Sequence, residues 1–329
     1  MLKIGVFGVG HLGKIHLNCL KMLPEQYELV GFFDPDTVLA QKVSSDFGVT
    51  AFNSEKALLE RIDIADIVAP TSVHFELAQR ALKAEKHIFI EKPLTYNLEE
   101  AEALMQSAAQ ATVKIQVGHV ERFNPALLAL GERVLKPMFI EGHRLALFNP
   151  RGTDVSVILD LMIHDLDILL HLIDAPITKV SASGVAVVSD NIDIANARIE
   201  FENGCVANLT ASRISIKQMR KMRLFQPDAY VSLDFLEKKA QIIQLDEKES
   251  THAFLSIPTE AGKKWITLEE PTIEPSNAIK MELSSFARSI QEDLPPKVSI
   301  KDGYKALHLA HQIVKDIQER QERAFAYSN

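Results

Sequence analysis

The stretch "KHIFIEKPL", Lys86 to Leu94, sets an acid, an amine and an imino ring at the end of an apolar run. Pro93 fixes its own φ and restricts Lys92 to extended backbone, so the Lys92 amine is aimed. An aimed amine can hold a hydroxyl oxygen or relay its proton, although position alone fits a solvated strand end equally well. A second set lies in "ILDLMIHDLDILLHL". Asp160 and His164 are four residues apart, on one face of a predicted helix, and Asp167 and His171 continue the stripe. A histidine beside a carboxylate is a natural proton acceptor, oriented and made more basic by its partner. The same spacing also fits a polar stripe on an otherwise apolar helix. A metal set of His164, His171 and an aspartate lacks a convincingly spaced third ligand, so no metal is expected.

The third set is "GVGHLG", a G-x-G-x-x-G formed by Gly8, Gly10 and Gly13. Gly8 permits a tight turn, Gly10 lets backbone approach a pyrophosphate, and Gly13 lets a helix pack closely on a strand. His11 and Leu12 sit at the helix N-terminus, whose positive end favours the phosphate charge. Asp34 ends the next strand 21 residues beyond Gly13, where a carboxylate bonds adenosine ribose hydroxyls. It is followed by Pro35 and Asp36, not by Arg or Ser, so a 2′-phosphate meets repulsion there. NAD is therefore expected over NADP. A glycine-rich turn without a ligand is the alternative, and the strand before and helix after argue against it.

These residues need elements to hold them. The first 120 residues alternate apolar runs with helical patterns. Strands are predicted at Leu2–Phe7, Glu28–Phe33, Thr50–Phe52, Ile64–Ala69, the "KHIFI" run and "VKIQV"; helices at about His11–Met22, Thr37–Asp46, from Ser54, through "HFELAQRALKA", and Asn97–Ala109. Such alternation predicts a doubly wound parallel sheet with helices on both faces. "KHIFI" is then the fifth strand, and its carboxyl end delivers Glu91 and Lys92 to the ligand crevice. The second half reads as α+β on a mainly antiparallel sheet. Helices are predicted at Pro125–Leu135, Leu159–Ile173, Asn277–Gln291 and Lys301–Arg320, and strands at Val180–Val188, Arg220–Phe225, Tyr230–Phe235 and Gln241–Leu245. "ARIEFENGCVANLTASR" reads as a hairpin, with Asn203–Gly204 suited to a two-residue turn.

With 329 residues, 47% of them hydrophobic, two self-sufficient cores are possible. A net charge of -8 argues against general nucleic-acid binding. Cys19 and Cys205 are too few and too far apart for a disulfide framework. No apolar run reaches membrane-spanning length, and "MLKIGVFGVG" enters a strand pattern without a separate charged region and cleavage site. A cytoplasmic setting is expected, with no membrane partner.

"GVGHLGKIH", Asp34, "APTSVHFELAQRAL", "EKPL", "VGHVERFNP" and "DLMIHDLD" together resemble the Gfo/Idh/MocA oxidoreductases, in that family's order and over most of the chain. The resemblance implies a Rossmann domain over residues 1–120 and an α+β substrate-binding and oligomerisation domain over 121–329. It implies that the C-terminal helix packs back on the first domain, and that the open sheet makes a dimer or tetramer. The implied reaction moves hydride between NAD and a carbon–oxygen centre of a sugar or polyol. Lys92, Asp160 and His164 match the family's catalytic positions. Thr71, Ser72 and His74 match the loop bordering the cofactor, and Glu91 matches the residue beside the nicotinamide ribose. Arg122, Asn124 and Arg151 are implied in the substrate wall. Met162, Ile158 and Leu159 replace glycines usual in the family, which turns the reading away from simple monosaccharides and inositols. The run "ERFNPA … DVSVILDLMIHDLDIL" looks more like the nucleotide-sugar branch, which oxidises the 3-hydroxyl of UDP-N-acetylglucosamine or a related uronic acid. Arg213, Lys217, Arg220, Lys221 and Arg223 fit either a diphosphate site or a solvated strand face. Two other functions on this fold stay open: a dinucleotide-dependent sensor, and an imine or tetrapyrrole reductase.

Overall fold

A computed structural model describes residues 1–149, 155–248, 251–259 and 262–328, with side chains through residue 323. By its internal contacts the chain forms two compact units, one from Met1–Phe123 with Ser276–Leu307, the other from Asn124–Pro275 with His308–Asn329.

The first unit runs β1 (Leu2–Phe7), α1 (His11–Lys21), β2 (Tyr27–Phe33), α2 (Thr37–Phe47), α3 (Glu55–Leu59), β3 (Ile64–Ile67), α4 (His74–Lys83), β4 (His87–Glu91), α5 (Leu98–Ala109) and β5 (Ile115–Gly118). Its sheet is parallel, in the order β2-β1-β3-β4-β5. The inner strands are buried on both faces, as helices on both sides require. Ile4, Val6, Ile64 and Phe89 face Leu17 and Leu20 of α1 in one core cluster, while α4 packs on β3, β4 and α5. Asn97 caps α5, its Oδ1 accepting from the Glu100 N–H at 2.8 Å. The expected strand at Thr50–Phe52 is a single bridge, Phe32 to Ala51. "KHIFI" is accordingly the fourth strand of this sheet, not the fifth.

The second unit opens with a short α6 (Pro125–Leu128), then β6 (Phe139–Leu145) and α7 (Ile163–Leu172). The helix expected to reach Leu135 stops early; Gly131 follows at φ +60°. Eight strands come next: β7 (Ile177–Val185), β8 (Ile194–Phe201), β9 (Val206–Ser212), β10 (Met219–Gln226), β11 (Ala229–Asp234), β12 (Lys239–Asp246), β13 (Ala253–Thr259) and β14 (Gly262–Glu269). With β6 they form one sheet, β13-β14-β12-β11-β10-β6-β9-β8-β7, antiparallel except for the β6–β9 pair. Alternate residues of β8, β9 and β10 are buried, as a sheet with one covered face requires. The hairpin between β8 and β9 turns through three residues rather than two: Gly204 N–H donates to Phe201 O at 3.0 Å, with Gly204 at φ +83°.

Three strands escape a reading of periodicity. In β6 the buried positions are Ile140, Gly142 and Arg144, only one of them strongly apolar. The edge strand β13 is mostly exposed and carries Pro258, and its neighbour β14 is polar over its first three residues, Gly262 to Lys264. Helix α8 (Ala278–Gln291) puts Leu283, Phe286 and Ala287 into the core of the first unit. The closing helix α9 (Ile300–Ser328) gives Ala306 and Leu307 to that unit, and Leu309, Ala310, Ile313 and Ile317 to the core of the second.

Candidate active site

Parallel register gathers the expected cofactor residues at one edge. Phe7 pairs with Phe33 and Ile67, Ile67 with Ile90, and Glu91 with Gly118. Gly8, Asp34, Val68 and Lys92 therefore leave the sheet at the same side. Gly8 holds φ +95°, and a Cβ there would lie 2.7 Å from Ala69 Cα. A Cβ on Gly13 would lie 2.1 Å from Gly8 O, the close helix–strand approach expected of it. Gly10 caps α1 with open space where its Cβ would point. Asp34 is pinned: one carboxylate oxygen accepts from Val9 N–H at 2.8 Å, the other from Asp36 N–H at 3.0 Å.

A cleft of about 760 Å³ runs along this edge, within the range of small-molecule sites. Gly8, Gly10, His11, Leu12 and Asp34 line it, as do Glu91 and Lys92. The structure thus brings the loop, the ribose-binding candidate and Lys92 to one cavity. Sequence reasoning missed part of the wall. Glu55, Glu76 and Arg80 also line the cleft, with Arg80 Nε 2.8 Å from Glu55 and Nη1 3.4 Å from Glu76. Thr71 and Ser72 sit in a 3₁₀ turn, Thr71–Val73, and are not part of the lining; their neighbours Pro70 and Val73 are. His74 is 1% exposed and spans two loops, its ring nitrogens 2.9 Å from Ala69 O and 3.0 Å from Pro93 O. Burial lowers its pKa, and the Ala69 and Pro93 carbonyls oppose that shift.

Behind Lys92 lies a cluster the sequence did not announce. His16, in the first turns of α1, is fully buried. Its Nδ1 is 3.0 Å from Asp66 Oδ2, and its Nε2 is 3.2 Å from Glu91 Oε1. Burial alone would depress the imidazolium, but the charges and hydrogen bonds of Asp66 and Glu91 outweigh it and raise its pKa well above the ordinary value. Burial pushes the Asp66 carboxyl up, and the facing imidazolium opposes that rise. One signal was available: an aspartate inside the apolar run "IADIVA" cannot be buried without a partner.

In the second unit Asp160 lies in a π-helical turn, Ile158–Met162, that leads into α7. The expected regular helix over Leu159–Ile173 is thus widened where Asp160 sits, a distortion common at functional sites. His164 is the second residue of α7 and is partly exposed. Asp165 beside it is buried and takes a forked pair of bonds from Arg144, at 3.0 and 2.8 Å, which anchors α7 to β6. In the continued stripe, Asp167 is buried and His171 exposed.

The substrate-wall candidates are placed differently from one another. Arg122 is 5% exposed and Asn124 7%. Arg122 Nη2 is 4.0 Å from Asp302, and Asn124 caps α6 while donating to Phe235 O at 3.0 Å. Arg151 lies outside the described residues. In the basic stretch, buried Arg213 donates to Val155 O, Lys221 pairs with Asp234, and Arg223 pairs with Glu141. Among the described residues no group of His, Cys, Asp and Glu could hold a metal ion, and no helix is long and apolar enough to cross a membrane.

Comparison with known proteins agrees with this geometry. Residues 2–119 match the Gfo/Idh/MocA model described as "Oxidoreductase family, NAD-binding Rossmann fold", and residues 143–226 match the family's C-terminal domain. The chain is 42% identical over 242 residues to a UDP-N-acetylglucosamine 3-dehydrogenase of Acidithiobacillus ferrooxidans, covering 73% of this chain and 76% of that protein. A crystal form of the enzyme of that name from the same organism superposes with a TM-score of 0.87 at 36% identity, covering 97% of this chain and 98% of that one. A myo-inositol 2-dehydrogenase of Thermotoga maritima is 25% identical over 337 residues, covering 97% of both chains. With its glycine loop, pinned Asp34 and cleft-lining Lys92 in place, the chain belongs to the NAD-binding Gfo/Idh/MocA oxidoreductase family.

Proposed function

We propose that this protein is an NAD-dependent dehydrogenase of a nucleotide sugar, acting at C3 of UDP-N-acetylglucosamine or a close relative. One observation carries the redox reading. A single cleft is lined by the pinned Asp34, by Gly10 with its open approach, and by Lys92. Its size and donor set fit a dinucleotide: backbone at Gly8 and Gly10 for the phosphates, Asp34 for ribose hydroxyls, Glu91 and Lys92 toward the reacting end. The substrate rests on the 42% identical relative named for UDP-N-acetylglucosamine. NAD, when bound, supplies the hydride acceptor or donor.

The chain supplies the proton chemistry. Lys92 donates to the substrate oxygen and supports its developing negative charge. His164, oriented by Asp160, takes the hydroxyl proton. Thr71, Ser72 and His74 act on the cofactor indirectly, by shaping the loop whose Pro70 and Val73 line the cleft. Arg122 and Asn124, with Arg151, shape the substrate pocket. The five basic residues from Arg213 to Arg223 are the diphosphate candidates, with Lys217 and Arg220 the most exposed.

The outward face of the second sheet supports a homo-oligomer. Phe139, Phe225 and Tyr230 form an aromatic ladder across β6, β10 and β11, with ring centroids 5.7 and 5.1 Å apart. Light scattering should give a mass of two or four chains. The two cysteines are buried free thiols, in keeping with a cytoplasmic protein.

The test of the activity is absorbance at the reduced-nicotinamide band with a panel of UDP-sugars and inositols. UDP-N-acetylglucosamine or a related uronic acid should be turned over with NAD. Turnover of inositols alone would overturn the substrate. Turnover of none, together with a protein partner bound only in the presence of NAD, would overturn the enzyme.

A further inference from the structure

At the Lys92 end of the cleft, three acid–base side chains from three elements meet away from solvent. Asp66 comes from β3 and His16 from α1, both 0% exposed, and Glu91 from the end of β4. The imidazole stands edge-on to Phe89, centroids 5.6 Å apart, which fixes its plane. Each ring nitrogen faces a carboxylate oxygen, at 3.0 and 3.2 Å. A neutral imidazole has one N–H and would turn a lone pair on one carboxylate; the imidazolium has two and satisfies both. Two facing carboxylates therefore favour the imidazolium form of the ring.

Glu91 is held on its other sides as well. Its Oε2 accepts from the Lys92 N–H at 3.1 Å. Across the sheet stands Gly118, where a Cβ would lie 2.7 Å from the Glu91 carboxyl carbon. The space a methyl group would fill belongs to this carboxylate. Nothing of the kind is needed to hold a helix on a sheet. A buried charge network stabilises a fold little, and apolar residues of the same volume often do better. Its position beneath a cleft-lining residue is what distinguishes it.

We propose that His16 is a positioning residue of the cofactor site: its ring, buried between Asp66 and Glu91, fixes the Glu91 carboxylate at the cleft wall, as an acceptor for a cofactor hydroxyl, without reaching the cofactor itself. The inference rests on reading the cleft as the NAD site. Other polar groups around the bridge are few. The Cys19 thiol of α1 feels His16, Asp66 and Lys280 of α8. Tyr27 of β2 lies near Asp66, with its hydroxyl donating to Leu283 O. His74 of α4 lies near Glu91, and burial lowers its pKa. Lys92, the next residue in the chain, lines the same cleft as Glu91.

Removing the ring cation leaves the Asp66 and Glu91 carboxylates with no charge between them, which favours uptake of a proton by the pair. His16→Gln should therefore bind NADH more weakly as pH falls, a dependence the parent lacks. The experiment measures NADH affinity by fluorescence at pH 6, 7 and 8 for the parent, His16→Gln and His16→Gln/Glu91→Gln. Between pH 8 and pH 6 the single variant should lose about tenfold in affinity, while the parent and the double variant stay within about twofold. Histidine-labelled NMR supplies the second readout, with the His16 signal identified by its through-space contact with the Phe89 ring. That signal should remain imidazolium at pH 7.5, and Asp66→Asn should lower its midpoint by about one pH unit or more. Asp66→Asn carries the test if His16→Gln fails to fold. A flat profile in a folded His16→Gln, a uniform loss at all pH values, or a His16 signal neutral at pH 6.5 overturns the role of His16 alone. A parent that binds no NADH overturns the reading of the cleft, and this inference with it.

Discussion

Asp34 carries the choice of cofactor at the scale of a single residue. Its oxygens are already oriented by Val9 and Asp36, so ribose hydroxyls meet a fixed acceptor. Arg80, a cation of the cleft lining, is paired with Glu55 and Glu76 and is poorly available to a 2′-phosphate. Asp34→Ser with Pro35→Arg should narrow the preference for NADH over NADPH by an order of magnitude or more, about 1.4 kcal/mol or above. A parent that already binds NADPH more tightly than NADH would contradict the assignment. For Lys92, Lys92→Ala should lower turnover by about two to three orders of magnitude, the scale of losing one oxyanion donor. NADH affinity should hardly change, and full activity in the variant would return Lys92 to a solvated strand end. Much at this scale was legible in the chain, because Gly8, Gly10, Gly13, Asp34 and the Glu91–Lys92–Pro93 run are dictated by local backbone needs. The His16 bridge was not: Asp66 is fifty residues from His16, and only the parallel sheet brings them together.

At the scale of elements, two features set the second-unit site. The π-helical turn at Ile158–Met162 offsets Asp160 from the regular rise of α7, and the buried Arg144–Asp165 pair locks α7 against β6. Breaking that pair leaves a buried guanidinium without its carboxylate. Asp165→Leu should cost about 3 to 5 kcal/mol of stability, the range for orphaning a buried charge. Thermal unfolding reads this directly, and a loss under about 1 kcal/mol would show that the pair is solvated in solution. Neither feature was legible. Hydrophobic spacing through "ILDLMIHDLDILL" fits a regular helix, and backbone hydrogen bonding, not composition, decides where one turn widens. In the same way β6 hides its period because Gly142 and Arg144 occupy inward positions that an apolar pattern would fill.

For the whole molecule, pH bounds the stability from both sides. The folded-state pKa of His16 is raised above its unfolded value of about 6.5. Its contribution is therefore complete below about 6.5 and is lost as pH rises through the folded value. Asp193 works in the opposite sense. Burial would raise its carboxyl, but the N–H groups of Val187, Val188 and Ser189 and the Ser189 hydroxyl bring it down to about 2. Its contribution is present above the unfolded value of about 3.9 and fades as pH falls toward 2. A thermal melting series from pH 3 to 9 should show both limbs. His16→Gln should flatten the alkaline limb and Asp193→Asn the acid one; unchanged limbs in folded variants would remove these groups as the cause.

The first unit is discontinuous in sequence, and that has a consequence in time. Its sheet and glycine loop are complete by residue 123, yet Leu283, Phe286 and Ala287 of α8 belong to the core that Ile4, Leu17 and Phe89 begin. On the ribosome the nascent first unit waits for some 150 further residues before that apolar face is covered. Meanwhile it presents the surface that chaperones and aggregation both select. A fragment ending at Phe123 should therefore be insoluble or bind an apolar dye, whereas the same fragment joined by a flexible linker to residues 276–307 should be soluble and bind NADH. Equal behaviour of the two fragments would mean that the late segment closes nothing the early one needs. Until the last fifth of the chain is made, the sheet that carries the cofactor cleft lacks part of the core beneath it.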